Sequence, residues 1–510
     1  MDELYIVKAP DVIQVSLTGQ DGKETMEAFP PTYTYAMFGE EEIIPGYKDL
    51  KIKLSFRAND LEPTVSIRYD QKVKPVNEEM KELMDIEGCL SSFLPETAWT
   101  PQEKDISTEA WTPPGELLHT YTVDKSRFEI WQSTLADVRA KKILSNMRIF
   151  IPFFIDGGTV AFLEDEDWAL ERWKVFFLYE IGSPDSTCPS YTIAGFGTSY
   201  RLWVFPSTEI LAPMPIDDSH TDFKDDQDSL PEQISPLLLP SRERIAQFMI
   251  LPPYQGKSHG SWLYTVMTTA FRKDKWVYEI TVEEPNDEFD ALRDYCDLAY
   301  LHECHPEFKN LALPEKIAPE QLRDTRKIPL DLLTNLDALH GIRLAAKIAP
   351  RQFQRITEMH LLSTIPAISR NAARISNKGR SANVSDRQYY FWRLLTKERI
   401  FVKNKDQLLQ IDEDERVEKV EDTVESVQME YEERWRTFVK RMDKGLRKCV
   451  SNVVETMGGE ADAKAVQAGG RKKRKVVTDD DEEIFESGGV PLKKMRNGTD
   501  EMMEGVAPTF

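Results

Sequence analysis

Two short stretches of the 510-residue chain carry residue types that could do chemistry. The first, residues 251–260, reads LPPYQGKSHG: it leaves an apolar run through two prolines, then sets Gln255, Gly256, Lys257, Ser258, His259 and Gly260 ahead of Ser261 and a helical pattern. The first N–H groups of a helix have no intrahelical partner and the helix dipole adds partial positive charge there, so anions bind at such turns. With two glycines for close backbone approach and Lys257 at the rim, the stretch reads as a diphosphate site. The second stretch is the pair Glu283 and Glu284, at the end of a strand predicted over 276–282. A carboxylate there, beside the strand that feeds the loop, is placed to act as a general base. Adjacent residues on a strand end point to opposite faces, so one of the two addresses the reacting group. The plainer alternative is that EEPNDEF is a helix-entry turn, where acid favours the helix N-terminus.

The elements that must position these stretches form a strand–helix–strand unit: apolar runs over 244–251 and 276–282, with a helix over 259–271 between them. Further strands are predicted over 174–181 and 191–204, and a helix over 128–144. Upstream, alternation in 51–56 and 65–69 predicts half-buried strands. Downstream of 306, spacings of three and four link Leu332, Leu333, Leu336 and Leu339, then Val417, Val420, Val424, Val427, Tyr431, Trp435, Phe438 and Met442, most simply the stripe of a helix packing on its own domain, with a partner-binding coiled coil as the alternative. The fold class is therefore α+β. Neither familiar phosphate loop is present, since GxxxxGK[ST] is absent and so is GxGxxG after a first strand.

Charge narrows the partners. The chain has 65 Lys and Arg against 87 Asp and Glu, a net of −22, which argues against direct nucleic-acid binding and fits a cationic partner. Five cysteines, Cys89, Cys188, Cys296, Cys304 and Cys449, with no CxxC, suit reduced thiols. Cys296, His302, Cys304 and His305 are zinc-ligand types, but their spacing matches no common site and no metal is expected. No secretory signal opens the sequence, and the best apolar run, 149–155, is far short of the ~20 residues that span a bilayer. Residues 216–231, IDDSHTDFKDDQDSLP, read as an acidic insertion, and 451–510 as a disordered tail. Within that tail Arg471, Lys472, Lys473, Arg474 and Lys475 form a nuclear import signal, a motif for importin.

The loop resembles the Gln/Arg-x-x-Gly-x-Gly/Ala loop of the GNAT acetyltransferases, with Ser258 where the pattern has its first glycine. Around it, AQFMILPPYQGKSHG, YEITVEEPNDEFDALRDY, FGEEEIIPGYKDLKI and GELLHTYTV together resemble the catalytic subunits of type B histone acetyltransferases, over residues 33–308 and loosely to 442. The resemblance implies an N-terminal substrate-binding domain (1–133), a GNAT domain with a mixed sheet flanked by helices (134–306), a helical domain (307–450) and the tail (451–510). It implies acetyl-CoA as co-substrate, held by Phe248, Met249, Ile250, Gln255, Gly256, Lys257, Ser258, His259, Gly260 and Ser261. Glu283 falls on the general base; Glu284 stands where relatives have Asp, and Asp156 where they have Glu. Glu40, Glu41, Glu42 and Tyr200, Arg201, Leu202 match segments that hold a core histone tail, with only the backbone of Arg201 expected to contribute. The implied substrate is newly made, non-nucleosomal core histone, chiefly the fourth, with a WD40-propeller histone-binding partner and a place in both cytoplasm and nucleus. Two other readings keep some of these features: a GNAT enzyme for a different amine, and a non-catalytic acidic histone escort.

Overall fold

A computed structural model describes residues 5–19, 22–100, 111–159, 163, 166–182, 190–204, 236–318, 330–375 and 383–458. The alternating stretches near the N-terminus are strands: β1 (Ile13–Thr18), β2 (Lys51–Arg57) and β3 (Pro63–Arg68) make a small sheet with β2 in the middle. Ile52, Leu54 and Phe56 of β2 point into the core and Lys51 and Lys53 out, the period-two pattern the sequence predicts.

Six further strands build the sheet that carries the site: β4 (Glu116–Val123), β5 (Ser126–Thr134), β6 (Trp173–Ile181), β7 (Tyr191–Trp203), β8 (Ser241–Ile250) and β9 (Val277–Val282). Their order is β9-β8-β7-β6-β5-β4, antiparallel throughout except for the parallel pair β8 and β9. A parallel pair needs a crossover. Between β8 and β9 that crossover includes a helix, His259–Lys273, whose face of Leu263, Val266, Met267 and Phe271 is fully buried.

One predicted element is corrected. Residues 128–144 are not a helix from their start: β5 occupies 126–134, hydrogen-bonded to strands on both sides, and α1 (Val138–Asn146) begins only after it. Phe128, Trp131 and Leu135 have helical spacing, but Phe128 and Ile130 bury as strand residues do. The turn that starts β5 uses Asp124 and Lys125 at φ of 49° and 81°, the twist a two-residue hairpin favours. Neither residue is the Gly or Asn that usually announces it.

The crossover helix α2 (His259–Lys273) packs on β6, β8 and β9; α3 (Asp287–Cys304) packs on α2, and α4 (Pro350–Thr364), α5 (Val384–Lys403) and α6 (Glu413–Arg441) pack on one another, α4 and α6 also on α3. The valine-to-phenylalanine stripe is the buried seam of α6, through Val424, Tyr431 and Phe438. After α6 the chain breaks direction at Gly445, φ 131°, and enters α7 (Arg447–Met457). The expected disordered tail therefore does not begin at 451. Cys449, Val450, Val453, Val454 and Met457 form a buried face, and at ~1.5–3 kcal/mol per buried apolar side chain that face offsets the cost of ordering the segment. It lies against α2, with Cys449 Sγ 3.9 Å from Thr265 Oγ1. The acidic insertion 216–231 and Arg471 to Lys475 lie outside the described residues. Of the four zinc-type side chains, His302 instead pairs with His360, Nε2 to Nδ1 at 3.1 Å. Among the described residues no group of His, Cys, Asp and Glu is placed to hold a metal ion, and no helix is long and apolar enough to cross a membrane.

Candidate active site

β8 and β9 run side by side only from Ser241 opposite Val277 to Ile245 opposite Val282. The last link is the Glu283 N–H donating to the Ile245 carbonyl at 2.9 Å. Beyond it β9 has ended, while β8 continues to Ile250 with β7 as its sole strand partner among the described residues. The register also slips here: Gly197 faces Phe248 and Ser199 faces Ile245, so Ala246 and Gln247 together oppose Thr198. That is a β-bulge, and bulges bend a strand and re-aim its side chains. The result is a gap between diverging strands, walled on one side by the edge of β8 that faces away from β7 beyond Ile245. An edge of this kind hydrogen-bonds an extended chain laid along it. Of the residues expected there, Met249 is buried, Ile250 half-buried, and Phe248 packs edge-on against Phe289 of α3 at 5.0 Å. Gly195 lets β7 approach this end of β8, because a Cβ on it would sit 2.5 Å from the Met249 carbonyl oxygen.

The loop after β8 stands at the head of the gap. Its Gln255 Nε2 donates to the Ile250 carbonyl at 2.9 Å, folding the loop back on the strand end. Gln255, Gly256, Lys257 and Ser258 are exposed. No protein acceptor among the described residues takes the main-chain N–H of Gly256, Lys257, Ser258, His259 or Gly260, whereas Ser261 N–H already donates to Ser258 O at 3.0 Å. Five consecutive free donors thus cap a 15-residue helix. Lys257 Nζ rests on the Pro253 carbonyl at 3.1 Å, at the loop's surface.

The side chains of two of these loop residues turn inward. The His259 side chain faces the core, 1% exposed, and burial together with the Lys257 cation pushes its pKa down to about 4, so it is not a cationic phosphate ligand. The Ser261 side chain is likewise buried. Ser258, the departure from the family glycine, adopts φ 69° and ψ 7°, a left-handed conformation that costs an L-residue about 1–2 kcal/mol. Ser258→Gly should accordingly hold or raise the denaturation midpoint. Ser258→Val, β-branched and least tolerant of positive φ, should lower stability by about 1–2 kcal/mol against the glycine variant, read by urea titration.

The carboxylates flank the same bulge. Glu283 and Glu284 form the exposed bend that follows β9, with Glu284 at φ 35°. Asp156 lies in the exposed loop 156–159, and that loop is tied to β8 by Gln247 Nε2 donating to Thr159 O at 2.9 Å. Both acids therefore hang from residues 245–247. Asp156 is held in turn by the Tyr35 hydroxyl, which donates to its Oδ1 at 2.6 Å and accepts from Gly157 N–H at 2.9 Å. The Asp156 hydrogen bond and the charges of Asp156 and Glu40 hold the Tyr35 phenol above its ordinary pKa, so Glu40 lies within electrostatic reach of Asp156's partner.

Of the expected tail-binding residues, Glu40 and Glu41 are exposed on the turn after Tyr35. Glu42 is not offered outward: at φ 52°, its Oε1 accepts from Thr34 N–H (2.5 Å) and Thr34 Oγ1 (2.9 Å), which fastens the turn. Tyr200 packs on Trp173 with ring centroids 4.7 Å apart, its hydroxyl accepting from Arg244 at 3.2 Å. Leu202 is half-buried. Arg201 is 3% exposed and ion-paired with Glu243 and Asp274, so its side chain belongs to the core, in line with a backbone-only role. Tyr35 and Gln247, which position Asp156, were invisible in the sequence, lying far along the chain from what they hold.

The profile of a family described as "Histone acetyl transferase HAT1 N-terminus" matches residues 5–156. The chain is 38% identical over 476 residues, 89% of its length and 81% of the relative's, to the histone acetyltransferase type B catalytic subunit of Aspergillus fumigatus. It is 33% identical over 503 residues to the protein of that name from Neurospora crassa, covering 92% of this chain and 94% of the relative. The Aspergillus oryzae protein is 38% identical over 454 residues, 85% of this chain and 86% of the relative. Identity of this extent spans the diverging strands, the amide-bearing loop and both carboxylate-bearing segments at once, and the chain belongs to the family of histone acetyltransferase type B catalytic subunits.

Proposed function

We propose that the chain transfers acetyl from acetyl-CoA to lysines in the N-terminal tail of newly made, non-nucleosomal core histone, chiefly the fourth, ahead of chromatin assembly. The observation that carries this reading is the row of five free amides at the head of α2, opening onto an unpaired strand edge that ends beside Glu283. The amides fit a diphosphate and the edge fits the amide-bearing arm of the co-substrate, whose thioester supplies the activated acetyl group.

This chain's groups do the rest. A lysine ammonium has a pKa of ~10.4 and must lose its proton before its nitrogen can attack, and Glu283, at the open end of the gap, takes that proton. Main-chain N–H groups along 248–250 face the charge that develops on the acyl oxygen. Exposed Glu40, Glu41 and Asp156 draw in a Lys- and Arg-rich tail and align it. A WD40-propeller partner presenting the histone, residence in cytoplasm and nucleus, and importin recognition of Arg471 to Lys475 complete the reading, on family resemblance and the basic run.

Calorimetry and turnover test it together. Titration of the full chain with CoA should show one site, and the fourth histone's tail peptide should be acetylated in strong preference to a polyamine. No CoA binding would leave the escort reading; equal use of the polyamine would leave a GNAT enzyme for another amine.

A further inference from the structure

The five amides make no hydrogen bonds of their own among the described residues, so something else must hold them in a row. Both ends of the loop are fastened to distant strands of the sheet. At its entry the Tyr254 hydroxyl donates to Glu180 Oε2 on β6 at 2.8 Å. At its exit His259 Nδ1 shares a 2.9 Å hydrogen bond with the Tyr121 hydroxyl on β4. Tyr254, His259 and Tyr121 are all at least nine-tenths buried. Phe128 of β5 sits between them, 4.3 Å from the His259 ring and edge-on to Tyr254 at 6.2 Å. Behind the exit, Tyr121 stacks on Trp262 at 4.4 Å, His119 stacks on Trp262 at 5.5 Å, and Thr456 of α7 hydrogen-bonds His119.

We infer that Tyr121 and Tyr254 are positioning residues for the donor substrate: each phenol pins one end of the loop, so the amides already converge before a diphosphate arrives. This rests on the acetyl-CoA reading and adds a claim about which side chains set affinity. A loop that must be ordered on binding loses affinity to that ordering, and one held in place does not. The ring of His259 is neutral, so the clasp at the loop's exit puts no cation of its own under the amides. A competing account makes both tyrosines ordinary core residues, which would affect stability and nothing else.

Tyr121→Phe and Tyr254→Phe keep the ring packing and remove only the hydrogen bond. Each is expected to weaken CoA binding to the full chain by about three- to tenfold, measured by calorimetry. The KM for acetyl-CoA should rise by the same factor, with kcat at saturation and the KM for the histone tail peptide within about twofold. The double variant should lose less than the product of the single losses, because both phenols constrain one loop. His259→Asn, whose Oδ1 can take the place of Nδ1, should retain more CoA affinity than His259→Leu. Wild-type CoA affinity in both phenylalanine variants would overturn the inference, as would a fall in kcat at unchanged KM. Failure of the wild-type chain itself to bind CoA would overturn the acetyl-CoA reading and this inference with it.

Discussion

Glu283→Gln should lower kcat by about two to four orders of magnitude, the range over which a positioned general base acts, while CoA affinity changes by less than about twofold. At pH 7.5 a lysine of pKa ~10.4 is neutral in roughly one molecule in a thousand, so the step depends on a group that removes the proton as the nitrogen attacks. The Glu283 backbone is fixed by its bond to Ile245 O, and the side chain stands in the exposed bend at the mouth of the gap. Glutamine has the same shape and cannot take a proton. The amide row lies in the loop after β8 and at the start of α2, so the donor substrate should not feel the change. Glu284→Gln should cost far less, because Glu284, turned through φ 35°, leaves the strand end in a different direction from its neighbour. Steady-state kinetics decide the matter, and unaltered turnover in the Glu283 variant would assign the base elsewhere, with Asp156 next to be tested.

What the sequence made legible was what local patterns encode. The strand–helix–strand unit was readable because the second half of β8 and most of β9 are apolar, and because the loop between β8 and the helix is glycine-bearing and polar. The hairpin before β5 was not, since Asp124 and Lys125 take positive φ without the residues that usually signal it. The bulge at Ala246 and Gln247 was equally hidden: it is a property of the pairing with β7, and a single strand carries no record of its partner's register. The family resemblance placed Glu283, Asp156 and the loop, but it could not show that Tyr35 and Gln247 are what aim Asp156's loop at β8. Burial showed what sequence could not, that the His259 and Arg201 side chains belong to the core beneath the loop and β7.

Arg201 supplies the largest expected stability effect. Its guanidinium is enclosed with the fully buried Glu243, with Asp274 at the end of α2 and with the Leu237 carbonyl, while Lys174 approaches Glu243 at 3.2 Å from β6. Burial pushes the Asp274 carboxyl upward, but Arg201, the Trp276 N–H and Lys174 outweigh it and hold the group below the usual range. Removing one member of a buried ionic cluster leaves the others desolvated and short of charge, a loss of about 3–5 kcal/mol. Arg201→Met, which keeps the aliphatic stem, is expected to lose about that much in urea-denaturation stability. Arg201→Lys should recover only part of it, because an ammonium cannot reach two carboxylates and a carbonyl with the planar fork's geometry. A surface arginine facing the histone tail would behave in the opposite way: its loss would leave stability intact and tighten binding of a cationic peptide by relieving repulsion. Unchanged stability with stronger tail binding in Arg201→Met would therefore return this residue to the substrate cleft, and a destabilised chain with an unaltered KM for the tail peptide would fix it as the brace under β7 and β8.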